Sequence, residues 1–155
     1  MAAESPEKLI ASNKKAFHEY FVLQKVEAGL ELTGTEVKSL RDGRAELKDS
    51  YVIFKNGEAF LFGAHIAPYS HGNLQNHDPD RTRKLLLHRK EIEKLHAQVA
   101  EKGLSVVPLR LYFRGSRVKA EIGVVRGKKL YDKRETEKRR EADREAAVAM
   151  KSRRT

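Results

Sequence analysis

The 155-residue sequence predicts a mainly β fold with helices: a small closed antiparallel barrel of the OB type, short flanking helices and a basic C-terminal tail. Three observations carry that expectation. Apolar residues recur at every second position from Tyr20 through Val22, Val26, Ala28 and Leu30 to Leu32, interrupted only by Gln24, as one long, curved, half-buried strand requires. Two hairpins are signalled further along, turning at Asn56-Gly57 and at Gly115-Ser116. A helical period is inserted before the second. A two-sheet sandwich competes with the barrel on the same strands.

Taken in order, Met1 to Ser12 has no period and reads as a loose arm before a domain spanning 13–130. After the Tyr20–Leu32 alternation, in which Gly29 permits a sharp bend or a close backbone approach, Thr33 and Glu36 fit a capping box and Asp42-Gly43 supplies a stop. A short helix over Gly34 to Arg41 follows. Tyr51 to Phe62 is the first hairpin. His65 to Arg83, rich in Pro, Gly, Asn and Asp, reads as a long surface loop, and Lys84 to Leu87 as a short strand. Ile92, Leu95 and Val99 repeat at helical spacing until Gly103. In the second hairpin, Val107, Leu109, Leu111 and Phe113 face Val118, Ala120, Ile122 and Val124, with Arg110, Arg114, Lys119 and Glu121 on the other side.

Charge narrows the function. Charged residues make up 35% of the chain, against roughly 25% in ordinary soluble domains, and the net charge is +10. Residues 126–155 hold 12 basic and 6 acidic side chains, hence +6 of that total. Such an excess favours polyanions through phosphate neutralisation and counterion release. The stretch Asp132 to Glu141 has no apolar stripe, so the tail, 131–155, is expected to be largely disordered alone and to become helical on a partner. A merely solvated basic tail is the alternative. With no cysteine, disulfides and thiolate metal sites are excluded. No run approaches the ~18 apolar residues of a membrane span, and a soluble cytoplasmic protein without a membrane partner is expected.

No glycine-rich phosphate loop, G-x-S-x-G elbow or HExxH pair is present. Gly127-Lys128-Lys129 lacks the upstream glycine and the following hydroxyl of a P-loop and reads as a basic hinge. His65, His71 and His77 match no zinc-ligand spacing. Glu27, Glu31, Glu36 and Asp42 leave a metal-dependent nuclease as one reading, with simple solvation as the plainer one. Aromatics interleaved with cations point instead to RNA: Tyr112 beside Arg114, Tyr131 among Lys128, Lys129, Lys133 and Arg134, and Tyr69 near Arg81 and Arg83. Phe113 belongs to the buried alternation, which leaves Tyr112 as the exposed stacking candidate. A general single-strand or tRNA binder fits the same features.

The blocks NKKAFHEYF, EAGLELTGTEVKSLRDG, KDSY, HDPDRTRKLLLH, VPLRLYF and GKKLYDKRE, in this order, closely resemble the small protein B family of SsrA-binding proteins, over Asn13 to about Lys151. The resemblance implies an OB-type barrel that binds the tRNA-like domain of tmRNA (SsrA RNA) and accompanies it to stalled ribosomes for trans-translation. It implies no enzymatic chemistry, no cofactor and a monomeric chain, with elongation factor Tu an indirect partner through aminoacylated tmRNA. Carried over by position, it assigns RNA binding to Asn13, Glu27, Leu86, Lys119, Gly127, Lys128 and Lys129. Glu27 would accept hydrogen bonds from a base edge or orient a neighbouring cation; Leu86 would pack on an unstacked base; Lys119 would contact phosphate. Tyr131, Asp132, Lys133 and Arg134 resemble the part of the tail that enters the vacant mRNA path near the small-subunit decoding centre. Where relatives often carry a tail tryptophan, this chain has Ala142.

Overall fold

The computed structural model of the chain describes residues 7–70, 76–128, 140 and 142–147. In chain order these form β1 (Glu7–Ser12), α1 (Lys14–Glu19), β2 (Tyr20–Leu30), α2 (Gly34–Arg41), β3 (Ala45–Glu46), β4 (Tyr51–Lys55), β5 (Glu58–Phe62), β6 (His65–Ile66), β7 (Arg83–Leu86), α3 (Arg89–Lys102), β8 (Ser105–Arg114) and β9 (Arg117–Gly127). Residues 140 and 142–147 are helical. The long strand, the α2 helix and both hairpins stand where their local signals put them. Asn56 and Gly57 have φ of 53° and 74°, the left-handed pair that a two-residue hairpin needs. At Gly103, φ is 63° and its N–H closes α3 on the Val99 carbonyl.

The sheet is open, and the expected closed barrel is not formed. Seven antiparallel strands run in the order β1-β8-β9-β2-β7-β5-β4, with β3 and β6 in a separate ribbon, and no ladder joins the edge strands β1 and β4. The sheet curls until β4 lies near β8, and side chains fill the seam. Asn13 stands in it: its amide nitrogen donates to the carbonyls of Pro108 (2.9 Å) and Leu47 (3.3 Å), while its oxygen caps α1 by accepting from the Ala16 N–H (3.2 Å). A side-chain bridge of this kind satisfies buried carbonyls that a strand ladder would otherwise satisfy.

Three further expectations change. Glu7–Ser12, read as part of a loose arm, is strand β1 paired with β8, so the folded body starts before residue 13. Lys14–Glu19 forms a helix the apolar pattern did not show. The uniform alternation of β8 is broken by a bulge between Pro108 and Arg110, and that of β2 by one between Val22 and Gln24. Each bulge moves the strand's side chains to the opposite face. Leu111, Phe113, Val118, Ala120, Ile122 and Val124 therefore join the main core with Ala28, Leu40, Leu61, Leu85 and Leu95, whereas Val107 and Leu109 turn away to pack with Val125 beneath Ala16 of α1.

Glu36 of α2 is fully buried, which its capping signal alone does not imply. It accepts from the Thr33 N–H at 2.9 Å as the box requires, and also from Arg81 (Nη2, 2.6 Å) and from the fully buried Arg83. Arg83 in turn donates to the carbonyls of Ala64 and Pro79, both at 3.0 Å. Burial alone pushes the Glu36 carboxyl up, but the hydrogen bonds from Arg81, the Thr33 N–H and Arg83 outweigh it and hold the group below the usual carboxylate range. The segment before β7 is thereby tied to α2.

Candidate nucleic-acid interface

Strand register places the candidates. Leu86 on β7 pairs with Gly29 on β2, Gly29 with Lys119 on β9, Lys119 with Tyr112 on β8, and Tyr112 with Leu9 on β1. Directly paired residues share a face, so these five form one row across five strands. The row lies opposite the main core. Leu86 and Leu9 are half exposed, at 50% and 56%. A β-carbon at Gly29 would come within 3.1 Å of the Leu86 β-carbon, so the missing side chain is what lets Leu86 lie over the β2 backbone.

One pleat along lies Glu27, opposite Glu121, itself opposite Arg110. Glu27 accepts a short hydrogen bond from the Tyr112 hydroxyl and a 3.1 Å bond from Arg114, whose other nitrogen reaches Glu7 at 2.8 Å. Arg110 pairs with Glu121 at 2.9 Å. The Tyr112 ring has the Arg110 guanidinium 5.1 Å and that of Arg114 6.0 Å from its centroid. Burial, then the bond to Glu27, pushes the phenol well above its ordinary range, so it stays a donor. Lys119, by contrast, has no carboxylate partner among the described residues.

Several sequence expectations are thereby redrawn. Tyr112 is buried at 3% exposure, so it is a platform beneath two arginines rather than an exposed stacking ring. Arg83, expected beside Tyr69 as a phosphate contact, is enclosed with Glu36. Asn13 is brought to the seam, away from the Lys119 row, with its amide committed to the fold. Gly127 ends β9 opposite Tyr20, and the Lys128 N–H donates to the Glu19 carbonyl at 2.9 Å. Lys129, Tyr131, Asp132, Lys133 and Arg134 lie outside the described residues. The four carboxylates considered for a metal do not converge: Glu36 holds Arg81 and Arg83, Glu27 holds Tyr112 and Arg114, and no cluster among the described residues could hold an ion. His65 bonds Asp80, while His77 bridges Thr35 and the Ile66 carbonyl. No helix among the described residues is long and apolar enough to cross a membrane.

Sequence reasoning put Arg114 on this face but missed Glu7, which lies in a stretch without alternation and carries no local cue to its pairing with Arg114.

Residues 10–152 match the family model described as SmpB protein. The chain is 60% identical over 147 residues to the SsrA-binding protein of Geotalea uraniireducens, covering 95% of this chain and 97% of that one. It is 59% identical over 145 residues to the SsrA-binding protein of Geobacter sulfurreducens, covering 94% and 95% respectively. A solved structure described as "tmRNA-SmpB: a journey to the center of the bacterial ribosome" superposes with a TM-score of 0.68 at 46% identity, over 79% of this chain and 87% of its counterpart. With the model spanning most of its length, this chain belongs to the SmpB protein family.

Proposed function

We propose that this chain binds the tRNA-like domain of tmRNA and brings it to stalled ribosomes for trans-translation, the open sheet holding RNA and the C-terminal tail occupying the empty mRNA path near the decoding centre. Elongation factor Tu would meet it only through the aminoacylated RNA, and the chain itself would do no chemistry. The observation that carries this reading is the row Leu86, Gly29 and Lys119: an exposed apolar side chain and a cation without a carboxylate partner among the described residues, held across three strands with a glycine between them. A splayed base can pack on Leu86 while Lys119 meets its phosphate. Beside them Glu27 serves as the clamp that fixes Arg114 over the Tyr112 ring, which favours the cation-orienting role over direct base contact. Asn13 supports the site from the seam. Gly127, Lys128 and Lys129 extend the RNA surface, and Tyr131, Asp132, Lys133 and Arg134 open the ribosome-facing tail.

Lys119→Ala tests the assignment. Titrations of tmRNA over a salt series should show weaker binding and a salt slope lower by about one phosphate contact. An unchanged slope would remove Lys119 from the interface.

A further inference from the structure

At one end of β2, away from the Lys119 row, three large apolar side chains face solvent together: Phe17 at 39% exposure, Phe21 at 46% and Leu23 at 50%. They are neither scattered nor bare. Leu23 sits in the β2 bulge, and the open concavity it helps line includes Phe17, Phe21, Lys25 and Lys128, with no carboxylate among the described residues of its wall. The Arg126 guanidinium lies 5.7 Å and the Lys128 ammonium 5.5 Å from the Phe21 ring centroid. Lys128 is held there at both ends, its N–H donating to the Glu19 carbonyl and its Nζ donating to the Phe17 carbonyl at 3.2 Å. The ammonium keeps further protons for an anion.

We propose that this cluster is a second RNA-contact platform, on which an unpaired base of tmRNA stacks against the Phe21–Arg126 pair while Lys128 and Lys25 meet its flanking phosphates. The proposal rests on the tmRNA reading above and extends it to residues outside the Lys119 row. An aromatic ring with cations fixed beside it suits a nucleobase, whose π-face stacks on ring or guanidinium and whose phosphates neutralise the charge. Continuity with Gly127 and Lys128, where β9 leaves the sheet, points to the same RNA as occupant. Among the described residues no carboxylate lines the concavity, the Glu121 carboxylate standing outside it at 3.9 Å from Lys25, and that lining fits a polyanion.

The test uses the full chain with Phe21→Ala, Phe21→Trp and Lys119→Ala, each titrated with tmRNA across a salt series, with thermal melts as the folding control. Because Phe21 is half exposed, its truncation should leave the melt near that of the parent chain. Phe21→Ala should bind roughly tenfold more weakly with an unchanged salt slope, since stacking neutralises no phosphate, and Phe21→Trp should restore affinity. Parent-like affinity of Phe21→Ala would overturn the platform, and if Lys119→Ala were still impaired the sheet-face reading would stand without it. Loss confined to Phe21→Ala would keep the platform and overturn the Lys119 row instead. Weakened co-sedimentation with ribosomes at unchanged tmRNA affinity would also overturn it, assigning the cluster to the ribosome.

Discussion

At residue 36 a helix-capping carboxylate is drawn fully inside, where two arginines meet it. Removing it would leave Arg83, also fully buried, without its counter-charge, and breaking a buried pair from one side costs about 3–5 kcal/mol. Glu36→Ala should therefore lower the unfolding free energy from urea titration by an amount of that order. Because the folded-state pKa of Glu36 is lowered, its contribution is present above the unfolded value near 4.5 and is lost as pH falls through the folded value. The stability gap between parent and variant, from urea titrations at several pH values, should be widest near neutrality and close progressively below about pH 4.5. Gly29 makes a second residue-scale case. Gly29→Ala would press its new β-carbon against Leu86 at 3.1 Å and displace it. RNA affinity should fall while the salt slope stays constant, because Lys119 is untouched; a lower slope in salt-series titrations would show that the charge surface had moved too.

At the scale of elements, the parts legible in the sequence are those decided within about four residues. The α2 cap, the Asn56-Gly57 turn and the Gly103 stop each act on neighbouring backbone groups, and each is found in place. Helix α1 escaped notice because it has six residues and only one buried side chain of its own, Ala16; what holds it is the Asn13 cap and the core beneath. Strand β1, EKLIAS, carries no alternation and exists through its pairing with β8. Asn13→Ala tests this tertiary dependence. It removes a helix cap and leaves two buried carbonyls short of a donor, for about 2–4 kcal/mol in all. The thermal midpoint should fall clearly, while tmRNA affinity measured well below the midpoint should stay near that of the parent chain. A marked loss of affinity there would mean that Asn13 meets the RNA directly.

For the whole molecule, the described part of the tail bears on how body and tail divide their work. Residues 140 and 142–147 are helical, and Ala146 is buried at 6%, where the sequence led to the expectation of a tail, 131–155, largely disordered alone. Ala142 and Asp143 line a cavity with Tyr20, Tyr51 and Val107. Burial, and secondarily the Asp143 charge, pushes the Tyr51 phenol up to about 12. Deleting residues 132–155 should thus bring one tyrosine down toward 10 in a spectrophotometric titration. On the proposed function, the same deletion should leave most tmRNA affinity intact and abolish tagging of stalled peptides. Joint loss of binding and tagging would contradict the division.

By itself, the sequence determined the strand-rich class, the hairpins, α2 and α3, and the basic tail, because capping, turn geometry and side-chain period are local, and charge is a sum. Its family blocks also singled out Glu27, Leu86 and Lys119. Only the tertiary structure decided that the sheet stays open, that two bulges divide its core, and that Glu27 clamps Arg114 from 87 positions away while Arg83 turns inward to Glu36 across 47. Such pairings depend on how strands register and how far a curled sheet's edges approach. Those distances are set by packing, to which no local pattern has access.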